Sequence, residues 1–120
     1  MKKIFLVLLL AFLFNVNAYA DLMMGRYIEN RSSNNKEVHE VMDISIKLIE
    51  EGIAIANVEL AYTKRKKLYC QPETLSFNSE NIASFLEYQI QKFKDKGRSI
   101  DKFPVSMILM KHLKETFPCK

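Results

Sequence analysis

Histidine, glycine and cysteine are scarce in this 120-residue chain, and each scarcity removes a class of chemistry. Only His39 and His112 are available as imidazole bases, and no serine sits on a recognisable elbow. A nucleophile with its base and orienting group therefore has little to be built from. Three glycines do not make the glycine-rich loop that cradles phosphate. Charge of one sign is also lacking. The formal net charge is +4, of which Lys2 and Lys3 supply two, leaving 4 − 2 = +2 for the rest of the chain. A surface so nearly balanced is a poor nucleic-acid binder. The adjacent acids Glu50 and Glu51 point about 100° apart on a helix, so they read as surface charge and not as a paired acid and base. The chain reads as a binder rather than an enzyme, with no cofactor implied.

Long apolar runs are missing as well, with one exception at the start. Lys2 and Lys3 precede an unbroken apolar stretch from Ile4 to Phe14, and Ala18-Tyr19-Ala20 follows as a small-x-small site. This is the layout of a secretory signal, with cleavage after Ala20 and a mature chain from Asp21. The stretch is shorter than the roughly 20 residues a membrane span needs, and no second run follows as a stop-transfer segment. The chain is expected to be exported, with no membrane association after cleavage. Residues 21–120 suffice for one domain with one modest core.

Both cysteines, Cys70 and Cys119, lie in that part. An even count in an oxidising compartment favours a bridge between them. Two free thiols or a metal site are the competing readings. Without a Cys-x-x-Cys, and with two histidines, the four ligands of a zinc site are hard to assemble.

Helical periodicity dominates from Lys36 onward. Leu22, Met23, Tyr27 and Ile28 fit a short opening helix before the polar break at Arg31–Asn35. The spacing predicts a long helix over about 36–63, capped by Asn34 or Asn35, with Val38, Val41, Met42, Ser45, Ile49, Ile53, Ala56 and Leu60 on one stripe. Ile46, Leu48, Ile55 and Val58 widen the apolar surface beyond that stripe, as in a bundle centre or against a second copy. Gly52 in its interior implies a close helix crossing or a break. A loop follows in which Leu75 and Phe77 turn inward. A third helix runs from an Asn78 or Ser79 cap to about Lys96, with Ile82, Phe85, Leu86, Ile90 and Phe93 inward and Gly97 as its stop. A fourth is capped by Asp101, takes Pro104 in its first turn, and buries Val105, Ile108, Leu109, His112, Leu113 and Phe117. On its apolar face His112 reads as structural, whereas His39 reads as exposed. The fold class is all-α, a small bundle of about four helices closed by one disulfide.

Lys64, Arg65, Lys66 and Lys67 form a basic run at the end of the long helix. Such a run complements the helix dipole and is solvated. The sharper reading is a contact patch for an acidic partner.

Cys70-Gln71-Pro72, the capped helix after it and the terminal Phe117-Pro118-Cys119 together resemble the type VI secretion amidase immunity family, the Tai/Rap immunity proteins. Leu48–Ile53 is similar to that family's tyrosine-isoleucine-x-glycine helix, with Ile49 in place of the tyrosine, and Gly25-Arg26-Tyr27 is similar to its opening glycine. Many members carry an additional cysteine pair; here Ser32 and Ile46 stand near those places. The resemblance implies a periplasmic homodimer that binds a peptidoglycan amidase effector and occludes its cysteine–histidine site. The toxin contact does not transfer by motif; the run Lys64–Lys67 is its candidate. A small periplasmic acid-stress chaperone, also helical with one disulfide, is the alternative, although two histidines give it no obvious acid switch.

Overall fold

A computed structural model describes residues 22–120. The signal segment 1–20, the cleavage after Ala20 and the new start at Asp21 lie outside the described residues. Four helices follow in order: α1 (Met24–Arg31), α2 (Lys36–Tyr62), α3 (Ser79–Asp95) and α4 (Val105–Thr116). No named strand occurs among the described residues. The all-α class, the four-helix count and the disulfide expected from the sequence are present.

Local chemistry sets each boundary. The Asn35 side chain accepts the Glu37 N–H at 2.9 Å and opens α2. Twenty-seven residues then run without a proline, and Gly52 does not break them. Asn78 and Asn81 cap α3 reciprocally, each side-chain oxygen accepting the other's N–H, at 2.8 and 3.2 Å. Gly97, at φ 63°, ends α3 in a left-handed turn in which Arg98 N–H donates to the Phe93 carbonyl at 3.0 Å.

The start of α4 differs from expectation. Asp101 does not cap it; Pro104 occupies the capping position, at φ −61°, and the helix begins at Val105. The segment before it is engaged elsewhere. Met24 and Gly25 donate to the carbonyls of Phe103 and Asp101 at 2.9 and 3.1 Å, and Val105 donates to that of Leu22 at 2.8 Å. Residues 22–25 and 101–105 thus clasp each other in an antiparallel pairing centred on Met23 and Pro104. Gly25 allows it, because a Cβ there would meet Asp101 Cβ at 3.2 Å and its carbonyl oxygen at 3.3 Å.

The core lies where α2 packs against the other three helices and α3 packs against α4. Met24, Ile46, Ile82, Leu86, Val105, Leu109 and Leu113 are fully buried, each such burial stabilising by about 1.5–3 kcal/mol. Phe77 turns inward as expected, but Leu75 is exposed, held in a surface turn by its N–H bond to the Pro72 carbonyl.

The buried face of α2 is rotated from the predicted stripe. Met42, Ile46, Glu50, Ile53 and Asn57 face the core, while Val41 and Ala56 face outward. A helix apolar round most of its circumference does not specify its inner face by period alone. Glu50 is accordingly not surface charge: it is 5 % exposed, and Lys47 Nζ meets its carboxylate at 2.8 Å.

Candidate partner-binding surface

The two cysteines meet as Cys70–Cys119, with Cα atoms 4.9 Å apart. The backbone prepares this approach, since Cys70 N–H donates to the Phe117 carbonyl at 2.7 Å. A second anchor fixes the same loop from below. Asn57, buried in α2, holds the backbone of Leu68 and Tyr69 through its side-chain amide. Phe77 packs edge-on to Phe85 and tilted against Phe117, tying the loop to α3 and α4.

The basic run is displayed between these anchors and the end of α2. Arg65 N–H donates to the Leu60 carbonyl at 2.8 Å and Lys64 N–H to that of Ala61 at 3.1 Å, the paired bonds of a Schellman turn. Lys64 occupies the left-handed position, at φ 56°, where glycine is usual. All four side chains are exposed, and none makes an ion pair among the described residues. Lys66 and Lys67 turn back towards Lys114 of α4, and the three line a depression of about 390 Å³ beside Pro118 and Cys119. This gathers positive charge from two distant segments onto one surface, which suits an acidic partner.

A larger groove, about 890 Å³, opens between α1, the start of α2 and α3. Sequence reasoning did not single it out. Arg31 crosses its floor, with Nη1 at 2.9 Å from Asp43 Oδ1 and Nε donating to the Tyr27 hydroxyl at 3.3 Å. Burial pushes the Tyr27 phenol above its usual range, and the Arg31 bond only partly opposes this. His39, half-buried rather than exposed, places Nε2 2.7 Å from the Ser33 carbonyl. Ser79, Glu80, Ser84 and Glu87 supply the α3 wall. The basic run is not among the groove's lining residues; it borders the separate depression beside the disulfide.

His112 is buried on the inner face of α4, as its apolar neighbours implied. Its ring stacks on Phe85, centroids 4.4 Å apart. Burial lowers its pKa, so the neutral ring is favoured. Gln89 Nε2 lies 3.3 Å from Nδ1, and Thr116 Oγ1 lies 3.3 Å from Nε2. An amide donor at Nδ1 puts the ring proton on Nε2. Gln89 Nε2 also donates to Glu115 at 3.1 Å, and Lys92 and Lys111 complete the cluster. Lys111 above all, opposed by partial burial and assisted by Gln89 and Lys92, holds the Glu115 carboxyl down to about 2. This cluster is a structural linkage between α3 and α4.

No group of three or more His, Cys, Asp or Glu side chains is placed to hold a metal among the described residues. No helix there is long and apolar enough to cross a membrane. Glu50, Asn57 and Gln89 are buried polar residues that the sequence did not mark. Gln89 falls in step with Ile82 and Leu86 on the buried face of α3, and this was the available signal; on α2 the period left the inner face open, so Glu50 and Asn57 carried none. Compared with protein-family models, curated proteins and solved structures, the chain matches none.

Proposed function

We propose that this chain is a periplasmic immunity protein that binds a type VI secreted peptidoglycan amidase and occludes its active site. The observation that carries the reading is the closure of the loop and tail motifs onto each other. Cys70-Gln71-Pro72 and Phe117-Pro118-Cys119, the two segments that resemble the Tai/Rap immunity pattern, meet through the disulfide and the Cys70–Phe117 backbone bond. The disulfide also suits an oxidising compartment, in line with an exported chain cleaved after Ala20. In this reading two copies form the neutralising unit. Lys66 and Lys67, with Lys114, supply part of the effector contact.

The test is co-expression in the periplasm with candidate type VI amidases, scored for lysis. Rescue by the chain, together with a stable purified complex, is the expected result. Lysis undiminished across several amidase families, with the chain folded and disulfide-bonded, overturns the reading. Charge reversal of Lys66 and Lys67 weakens the complex if they touch the effector; unchanged affinity removes them from the contact.

The small acid-stress chaperone is the second reading, and one observation favours it. A buried neutral His112 makes the α3–α4 junction sensitive to acid. Suppression of client aggregation at low pH, absent at neutral pH, is its signature.

A further inference from the structure

Several acids on this surface are answered along their own helix. Glu40, Glu51 and Glu115 each pair with the lysine four residues before them, Lys36, Lys47 and Lys111. Glu80 and Glu87, on the α3 wall of the groove between α1, α2 and α3, are not answered. No lysine or arginine lies three or four residues from either, and neither forms an ion pair among the described residues. The one guanidinium in the groove, that of Arg31, is already held by Asp43 at 2.9 Å and by the Tyr27 hydroxyl. Arg31 against Asp43, Glu80 and Glu87 leaves a formal 1 − 3 = −2 in the groove, with His39 counted neutral. The chain from Asp21 onward carries the opposite sign, +2. Between the two free carboxylates the lining is apolar, from the half-buried Ile28, Ala83 and Ile90. Tyr27 is only 3 % exposed, and its hydroxyl accepts from Arg31 but donates to no group among the described residues.

We propose that this groove docks a helical segment of a different protein, one that carries an apolar stripe and two lysines seven residues apart. Charge complementarity selects the occupant. Glu80 and Glu87 are two turns apart on α3, about 10 Å along its axis. A helix lying along α3 presents two cations at that separation on one face when its lysines recur at seven. The lysine stems and the apolar residues between them then cover Ile28, Ala83 and Ile90, while the ammonium groups reach the carboxylates. An anionic segment is repelled by the groove. A purely apolar one takes water from two carboxylates and returns no counter-charge, which is costly. No helix of this chain carries basic residues seven apart, so a second copy does not supply the segment. The Arg31–Asp43 pair ties α1 to α2, so the groove is formed before anything binds. The Tyr27 hydroxyl is left to donate to a polar group of the segment.

The groove is separate from the depression at Lys66 and Lys67, so the inference does not rest on the amidase reading, and its test needs no effector. The mature, disulfide-bonded chain is titrated with three synthetic helical peptides that share one leucine stripe. One has lysines seven residues apart, one has them three apart, and one has glutamates seven apart. The seven-spaced lysine peptide is expected to bind about tenfold more tightly than the three-spaced one, and the glutamate peptide not at all. Amide NMR shifts are expected to gather at Tyr27, Ala83 and Glu87. Glu87→Lys is expected to weaken the lysine peptide about tenfold. Glu73→Lys makes the same charge change in the exposed loop outside the groove and is expected to leave binding unchanged. Glu87 is exposed and unpaired, so an unaltered melt shows that its variant still folds. No binding of the seven-spaced peptide at about 1 mM overturns the proposal, as does equal binding by Glu87→Lys or by the three-spaced peptide. Shifts confined to the exposed side of α2, at Leu48 and Ile55, overturn it too. Spermidine that binds the groove more tightly than the peptide assigns it to a small polycation and overturns the helical occupant.

Discussion

Asn57 holds Tyr69 by both edges of one amide. Its Nδ2 donates to the Tyr69 carbonyl at 2.9 Å, while its Oδ1 accepts the N–H groups of Leu68 at 2.7 Å and Tyr69 at 3.4 Å. A polar residue in mid-helix thereby replaces the secondary structure that this loop lacks, one residue before the disulfide. Asn57→Ala strands the Tyr69 carbonyl and the N–H groups of Leu68 and Tyr69. A loss of about 2–4 kcal/mol is expected from unmet backbone groups of this kind. Urea unfolding measures it, and a loss under 0.5 kcal/mol would show that the loop does not depend on this amide.

Lys64 stands in the left-handed region at the Schellman turn. A non-glycine residue there costs about 1–2 kcal/mol, so Lys64→Gly is expected to raise stability by about 1 kcal/mol and the melting temperature by several degrees. Lys64→Ala keeps the strain and is expected to give no gain. Equal melting temperatures for both variants would contradict the assignment.

The Cys70–Cys119 bridge spans 49 residues of chain. On the chain-entropy account its removal costs up to about 4 kcal/mol. The Cys70→Ser, Cys119→Ser double variant is expected to unfold at a clearly lower urea midpoint than the oxidised protein. The reduced wild-type chain is expected to match the variant.

Acid is expected to weaken the fold in two stages at the α3–α4 junction. His112 resists protonation because it is buried. The folded state therefore takes up its proton less readily than the unfolded chain, and stability falls as pH drops below about 6.5. Glu115 is held down to about 2 from an ordinary 4.5. Its contribution is present above about 4.5 and is lost as pH falls from there towards 2. Its side chain is 37 % exposed, so solvent screening reduces this to about 1 kcal/mol. His112→Phe is expected to remove the first stage and Glu115→Gln the second. Urea midpoints taken across pH 2–8 separate them.

Much of the architecture was legible because single residues punctuate it. Asn35, Asn78 and Gly97 mark helix ends by their own side-chain or backbone chemistry, without help from distant neighbours. Asp101 misled for the opposite reason. It has the chemistry of a cap, but its carbonyl is taken by Gly25, a residue far away in sequence. The inner face of α2 was hidden by excess, since apolar residues on two sides satisfy the same period. Glu50 and Asn57 joined the core only because Lys47 and the 68–69 backbone wait there to pair with them. The groove across α1 and α3 is built by Arg31, Asp43 and Glu87 from three separate helices, and no local pattern brings them together. The basic run was visible as charge, but its convergence with Lys114 depends on the return of α4.

The clasp between residues 22–25 and 101–105 gives this small helical protein an unusual folding problem. Bundles whose contacts are local fold within microseconds to milliseconds, because each loop to be closed is short. Here the first helix is docked by bonds from Met24 to Phe103 and from Gly25 to Asp101, and these form only after nearly the whole described chain has been gathered. Helices α2 and α3 can form early on their own caps. Helix α1 also packs on α2, its neighbour in sequence, through Arg31 and Asp43, so it has a local surface to settle on, and the clasp to the segment leading into α4 is the long-range closure that fixes its far end.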